Sequence, residues 1–174
     1  EYKPQSEKAA TSAQGNPGVL VDFGRLVNGT VKLELLPKKS VTLCYGESDL
    51  EALDEQWCYY KEEHATAETR PRRRAFRYLF LPGVKPGEVS LTATHTYVDI
   101  PVKAKFHCDD QLLNRIFEVS VETFRQCSGL FFLDGAKRDR WVWSGDAYQS
   151  YVVNPYVFFD PEINKRTPMG LRGN

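Results

Sequence analysis

Three aspartates, two tryptophans, two arginines and a lysine fall between residues 134 and 146, inside the stretch FFLDGAKRDRWVWSGDAYQS. Asp134, Asp139 and Asp146 are spaced by five and then seven residues, with Trp141 and Trp143 between the last two. Carboxylates sharing a partly dry pocket hold different pKa values, so that one donates a proton while another stays ionised and accepts hydrogen bonds. That is the chemistry of breaking glycosidic bonds. An indole face covers the apolar C–H face of a pyranose, and acids and guanidinium groups bind its rim of hydroxyls. A structural reading competes for the same residues: KRDR as a solvated turn with a local ion pair, the tryptophans as core anchors, and Ser144 and Asp146 as the opening of a helix. A three-carboxylate metal site is the weakest reading, because the D-x-D-x-D-G calcium pattern is missing.

The elements around this stretch change character along the chain. From Gly18 to Asp99 the pattern has period two: TVKLEL puts Val31, Leu33 and Leu35 opposite Thr30, Lys32 and Glu34, and VSLTATHTY alternates from Val89 to Tyr97. VLVDF, VTLCY, WCYY and FRYLFL add short strands, separated by turn signals at Val27-Asn28-Gly29-Thr30, Pro37-Lys38-Lys39 and Pro82-Gly83. Such strands predict an antiparallel β-sandwich domain over residues 18–104, preceded by a polar linker over 1–17. Beyond residue 105 the spacing becomes helical. Asp109 or Asp110 can cap a helix over 110–127, with Leu113, Ile116, Phe117, Ser120, Val121 and Phe124 at three- and four-residue intervals. A second helix is expected to begin near Ser144 to Asp146 and to kink or end at Pro155. The motif therefore connects two helices. Tyr148, Tyr151, Tyr156, Phe158 and Phe159 offer more aromatic surface than two helices cover, which predicts further helices or a partner over them.

Composition narrows the function classes. The 174 residues carry 23 basic and 23 acidic side chains, so no nucleic-acid footprint spreads over the whole surface. The local exception, RPRRRAFR, is read as a basic turn guarding a strand, against an RNA or anion site whose affinity would fall steeply with salt. No apolar run approaches the roughly 20 residues of a membrane span. Cys44, Cys58, Cys108 and Cys127 show no CxxC spacing and no metal-ligand interval to His64, His95 or His107, so no zinc site is expected; three disulfide connectivities are open.

Read together, FFLDGAKRDRWVWSGDAYQSY, the preceding FHCDDQLLNRIFEVSVETFRQC and the following FFDPEINKRT resemble the bacterial α-L-rhamnosidases of glycoside hydrolase family 78. The likeness extends from VLVDFGRLVNGTVKL through YGES and RAFRYLFL to LRG, and its most specific part is D-G-x-K-R-D-x-x-x-W-x-G-D. It implies a fold of β-sandwich followed by an (α/α)6 barrel, residues 105–174 being a truncated barrel start. It also implies inverting hydrolysis of terminal α-L-rhamnosyl residues, with a rhamnose-containing glycan or glycoside as partner. No cofactor, metal, nucleic acid or membrane is implied, and family habit suggests a secreted or periplasmic setting. By matched position Asp139 takes the general-acid place, and Asp134, Arg138, Trp141, Trp143 and Asp146 line the rhamnose subsite. Many members carry a glutamate acid in an R-D-E run, where this chain reads Arg138-Asp139-Arg140. Either the aspartate acts with a reach shorter by about 1.5 Å, one C–C bond, or the acid is absent. Asp160 and Glu162 come too early to match the late general base, which implies a chain inactive by itself. The alternative is a non-catalytic carbohydrate-binding or interaction module.

Overall fold

The computed structural model describes residues 1–35 and 40–172; the turn expected at Pro37-Lys38-Lys39 lies outside the described residues. Two compact units divide the chain, Glu1–Thr96 and the residues from Tyr97 onward.

The first unit is one antiparallel sheet of six strands: β1 (Ser6–Thr11), β2 (Pro17–Leu35), β3 (Val41–Gly46), β4 (Tyr60–Ala65), β5 (Arg74–Pro82) and β6 (Ser90–His95). The strand order is β1-β2-β5-β3-β4, with β6 also on β2. A short helix, α1 (Asp49–Leu53), follows β3 and is capped by Ser48, whose Oγ accepts the Glu51 N–H at 3.1 Å. The period-two reading holds where it was sharpest. Val31 and Leu33 are buried in a cluster with Val19, Val21, Leu43, Phe76 and Leu91, while Lys32 and Glu34 are exposed. On the other face Leu20, Cys44 and Phe80 pack with Ala52 of α1.

Three expectations are corrected. The polar linker contains β1, which pairs with β2 from Ser6↔Asp22 to Thr11↔Pro17; backbone pairing, not side-chain pattern, recruits it. WCYY becomes a strand only at Tyr60, because the Asp54 carboxylate captures the Gln56 and Trp57 N–H groups at 3.0 and 3.1 Å and holds a turn there. The Asn28-Gly29 turn does not form. Both residues lie within the continuous 19-residue β2, where Gly29 pairs with Arg74 on one side and His95 on the other. The ladder slips instead between Asp22 and Val27, where Gly24 has φ +74° and donates its N–H to Asp22 Oδ1 at 2.6 Å. Gly29 is required by closeness: a Cβ would run into the Thr94 carbonyl oxygen and stand 2.7 Å from its carbonyl carbon.

The basic run enters β5 as expected, and three of its arginines serve the sheet. Arg77 grips Asp22 with Nε–Oδ1 2.8 Å and Nη2–Oδ2 3.0 Å, Arg73 Nε donates to Asn28 Oδ1 at 2.8 Å, and Arg74 lies 3.7 Å over the Tyr60 ring.

The second unit holds α2 (Gln111–Gln126), α3 (Ser144–Val157) and α4 (Pro161–Arg172). Asp110 caps α2, its Oδ1 accepting the Leu112 and Leu113 N–H groups at 2.8 and 3.3 Å. Pro155 lies within α3 and does not end it; the helix runs on to Val157 and closes where Phe158 and Phe159 both donate N–H to Asn154 O, at 3.0 and 2.7 Å. Sequence reasoning missed α4, although Asp160-Pro161-Glu162 carries its start signal; Asp160 Oδ1 accepts the Glu162 N–H at 2.9 Å, and Pro161 occupies the first turn. The core of this unit is Ile100, Phe132, Val157, Phe158 and Ile163, with Val121, Phe124 and Tyr151 against it.

Two measurements check this account. Gly29→Ala should lower stability by about 2 kcal/mol or more, since neither strand backbone can yield, read as a fall in the urea midpoint. The Arg77 hydrogen bonds hold the Asp22 carboxyl below the usual carboxylate range. A depressed acid stabilises the fold fully above its unfolded value, near pH ~4, and that contribution disappears as pH falls through the folded value. Asp22→Asn should therefore cost about 1 kcal/mol near neutrality, given partial exposure of the pair, and less in acid, measured by denaturant melts across pH.

Candidate active site loop

The motif leaves α2 through a tight return. Ser128 Oγ donates to Phe124 O at 2.7 Å, Leu133 N–H donates to Cys127 O at 2.9 Å, and Gly129 N–H donates to Phe131 O at 3.0 Å. Phe132 is then driven into the core. Its ring is near parallel to that of Phe124 (5.5 Å, 22°) and meets Tyr151 edge-on (5.8 Å, 79°), while Phe124 also stacks on Phe158 (4.9 Å, 13°). Helix α4 holds the same segment by polar contacts: Thr167 Oγ1 accepts the Phe132 N–H at 3.1 Å, and Arg166 Nε donates to Leu130 O at 2.9 Å. Thr167 and Arg166 are positioning residues absent from the sequence prediction, because α4 was absent from it.

Beyond this anchor the chain forms a closed loop. Asp134 N–H donates to Trp141 O at 3.0 Å, and Trp141 N–H donates back to Asp134 Oδ1 at 2.9 Å. Ala136 is buried beneath, and Arg140 adopts φ +49°, the left-handed turn that brings the returning strand of the loop back to Asp134. Arg138 and Asp139 are exposed at the tip. Trp141 and Trp143 are 63% and 51% exposed, so neither is a core anchor among the described residues. The first residue of α3 is Ser144, so the exposed Asp146 lies in its first turn, where a negative charge suits the helix N-terminus. Ser144 and Asp146 thus do open a helix, as the structural reading held.

Five of the six predicted residues, Arg138, Asp139, Trp141, Trp143 and Asp146, are therefore exposed on one short segment pinned at both ends, and the sixth, Asp134, closes it. One oxygen of Asp134 is already committed to the loop, so its first role is positional. Among the described residues no cluster of three or more His, Cys, Asp or Glu side chains is arranged to hold a metal ion. Asp160 is occupied as the cap of α4, and Glu162 pairs with Lys165 at 2.8 Å.

The fold is shared with known glycosidases. A rhamnosidase from Klebsiella oxytoca with rhamnose bound matches 92% of this chain at 25% identity and TM-score 0.61, and a GH78 family rhamnosidase of Bacillus sp. GL1 matches 92% at 26% identity and TM-score 0.65. An α-L-rhamnosidase of Streptomyces avermitilis complexed with L-rhamnose matches 97% at 19% identity and TM-score 0.68. The chain spans 36% of the Klebsiella protein and 18% of each of the other two. No protein-family model and no curated protein matches the sequence. The chain is thus a sheet-then-helix structure similar to part of known glycoside hydrolases, and its particular resemblance is to the rhamnosidases, among them one of family GH78.

The loop closure makes its own prediction. Asp134→Ala should raise hydrogen exchange at the Trp141 amide about fivefold, the value of one ordinary hydrogen bond, whereas Asp134→Asn, which keeps an acceptor, should leave it nearly unchanged.

Proposed function

We propose that this chain carries the general-acid side of an α-L-rhamnosidase site, which hydrolyses terminal α-L-rhamnosyl residues with inversion. The observation that carries the reading is the pinned loop with its exposed aspartate, arginine and paired indoles, in a chain whose fold matches a rhamnosidase with rhamnose bound. In this proposal the sheet is the end of a β-sandwich domain and the helices begin an (α/α)6 barrel. The exposed stripe of Tyr148, Val152 and Tyr156 on α3 is the surface on which further barrel helices pack.

Asp139 donates a proton to the glycosidic oxygen as the bond to the sugar breaks, so the leaving group departs as an alcohol. A carboxylate on the opposite face of the ring removes a proton from water as it attacks, the two acids standing roughly 6.5 to 9.5 Å apart to admit that water. With Asp160 and Glu162 engaged in and around α4, the general base is proposed to lie outside these residues. Arg138, Asp146 and the free oxygen of Asp134 bind ring hydroxyls, and Trp141 and Trp143 cover the apolar face and C6 methyl of the sugar.

A second reading, a carbohydrate-binding module that cleaves nothing, is favoured by the half-exposed tryptophans alone. One series of assays separates the two. Where the chain turns over an α-L-rhamnoside with a poor leaving group, Asp139→Asn should cut the rate by about 10²- to 10⁴-fold while L-rhamnose binding persists. Unchanged turnover in that variant removes Asp139 from the acid role. A folded chain that binds L-rhamnose without cleaving it, even when a small anion such as azide is added in place of the missing base, supports the binding module; a folded chain that does neither contradicts both.

A further inference from the structure

Cys44 and Cys58 are brought together in the first unit by contacts that the sugar chemistry does not use. Cys44 is fully buried on β3, pointing away from Leu43 and Tyr45 into the cluster of Leu20, Ala52 and Phe80. Cys58 lies in the turn after α1, half-buried against that same cluster. Backbone bonds fix the turn beside the strand: Cys58 N–H donates to Asp54 O at 2.7 Å, and Tyr59 N–H donates to Tyr45 O at 3.0 Å, one residue along from Cys44. Both side chains pack on that one cluster, and Cys58 Sγ donates to Tyr60 O at 3.5 Å.

The pair is asymmetric in burial, Cys44 being fully buried and Cys58 only partly. The Cys58 contact and burial push the Cys44 thiol up. The Cys44 contact, and then the positive charge of Lys61, bring the Cys58 thiol down, against burial and the negative charges of Asp54 and Glu51. An accessible thiol that ionises more readily attacks, and a buried neighbour resolves.

We propose that Cys44 and Cys58 form a reversible disulfide, a covalent clasp between β3 and the turn after α1, made by exchange with a small disulfide such as oxidised glutathione. The Cys58 thiolate attacks one sulfur of the small disulfide; that S–S bond breaks, and one small thiolate leaves with the electron pair. Cys44 then gives up its proton to that thiolate and its sulfur attacks Cys58 Sγ, expelling the second small thiolate. The protein pair is oxidised by two electrons, and the small disulfide is reduced to two thiols. The clasp does not rest on the glycosidase reading.

The test is to equilibrate the 174-residue chain with oxidised glutathione, quench with acid, and map peptides without reduction beside a dithiothreitol-treated sample. The expected result is one Cys44–Cys58 cross-link and a melting temperature raised by an amount on the order of 10 °C, because the bond closes a loop of about 15 residues. Dithiothreitol should reverse both. Cys58→Ser, at a half-buried position that tolerates a hydroxyl, should abolish the cross-link and the thermal shift, while Cys127→Ser keeps both. A folded chain that retains free Cys44 and Cys58, stops at a glutathione adduct on Cys58, or links either cysteine to Cys108 or Cys127 would overturn the proposal.

Discussion

The helical unit depends on one aromatic contact set. Phe124 from α2 stacks against Phe132 at the start of the motif and against Phe158 at the end of α3, so a single ring ties together the helix before the loop, the loop itself and the helix after it. Each fully buried phenylalanine contributes about 1.5–3 kcal/mol from area alone, and the polar contacts of Thr167 and Arg166 fix the direction in which the chain leaves that core. Without the stack, the acids and indoles that follow would belong to an unplaced connection.

What the anchored segment gains is presentation. Folding normally hides tryptophan, yet here Trp141 and Trp143 stand more than half exposed just ahead of a helix start. The two Asp134–Trp141 bonds and the left-handed Arg140 hold them there, at a backbone cost of about 1–2 kcal/mol for the positive φ. A hydrophobic surface kept out of the core by specific bonds is suited to meet a ligand with one apolar face and a polar rim.

Local rules made much of this legible beforehand. Asp110 and the apolar spacing from Leu113 to Phe124 describe α2 because a cap and a buried stripe are properties of neighbouring residues. Gly29 was misread for the opposite reason: its requirement comes from the β6 backbone pressing on it, a contact far away in sequence. Strand β4, YKEEHA, shows no apolar alternation because it is a sheet edge, where lysine and glutamate discourage further pairing. Helix α4 had a readable start in Asp160-Pro161-Glu162, but Pro168 and Gly170 within it obscured its continuation. The candidate residues stood out as a set because their types are unusual together; that Asp134 closes the loop was not legible, since a carboxylate bonded to a backbone amide leaves no pattern in the sequence.

The central claim is that the pinned loop binds an L-rhamnosyl group through its indoles. Trp57 belongs to the other unit, so Trp57→Phe leaves Trp141 and Trp143 as the only indoles, and their fluorescence can be followed during titration with L-rhamnose. The account predicts a saturable change that Trp143→Ala removes and that a D-sugar lacking this stereochemistry does not reproduce. A folded chain whose indole emission ignores L-rhamnose, or answers every sugar alike, would contradict it.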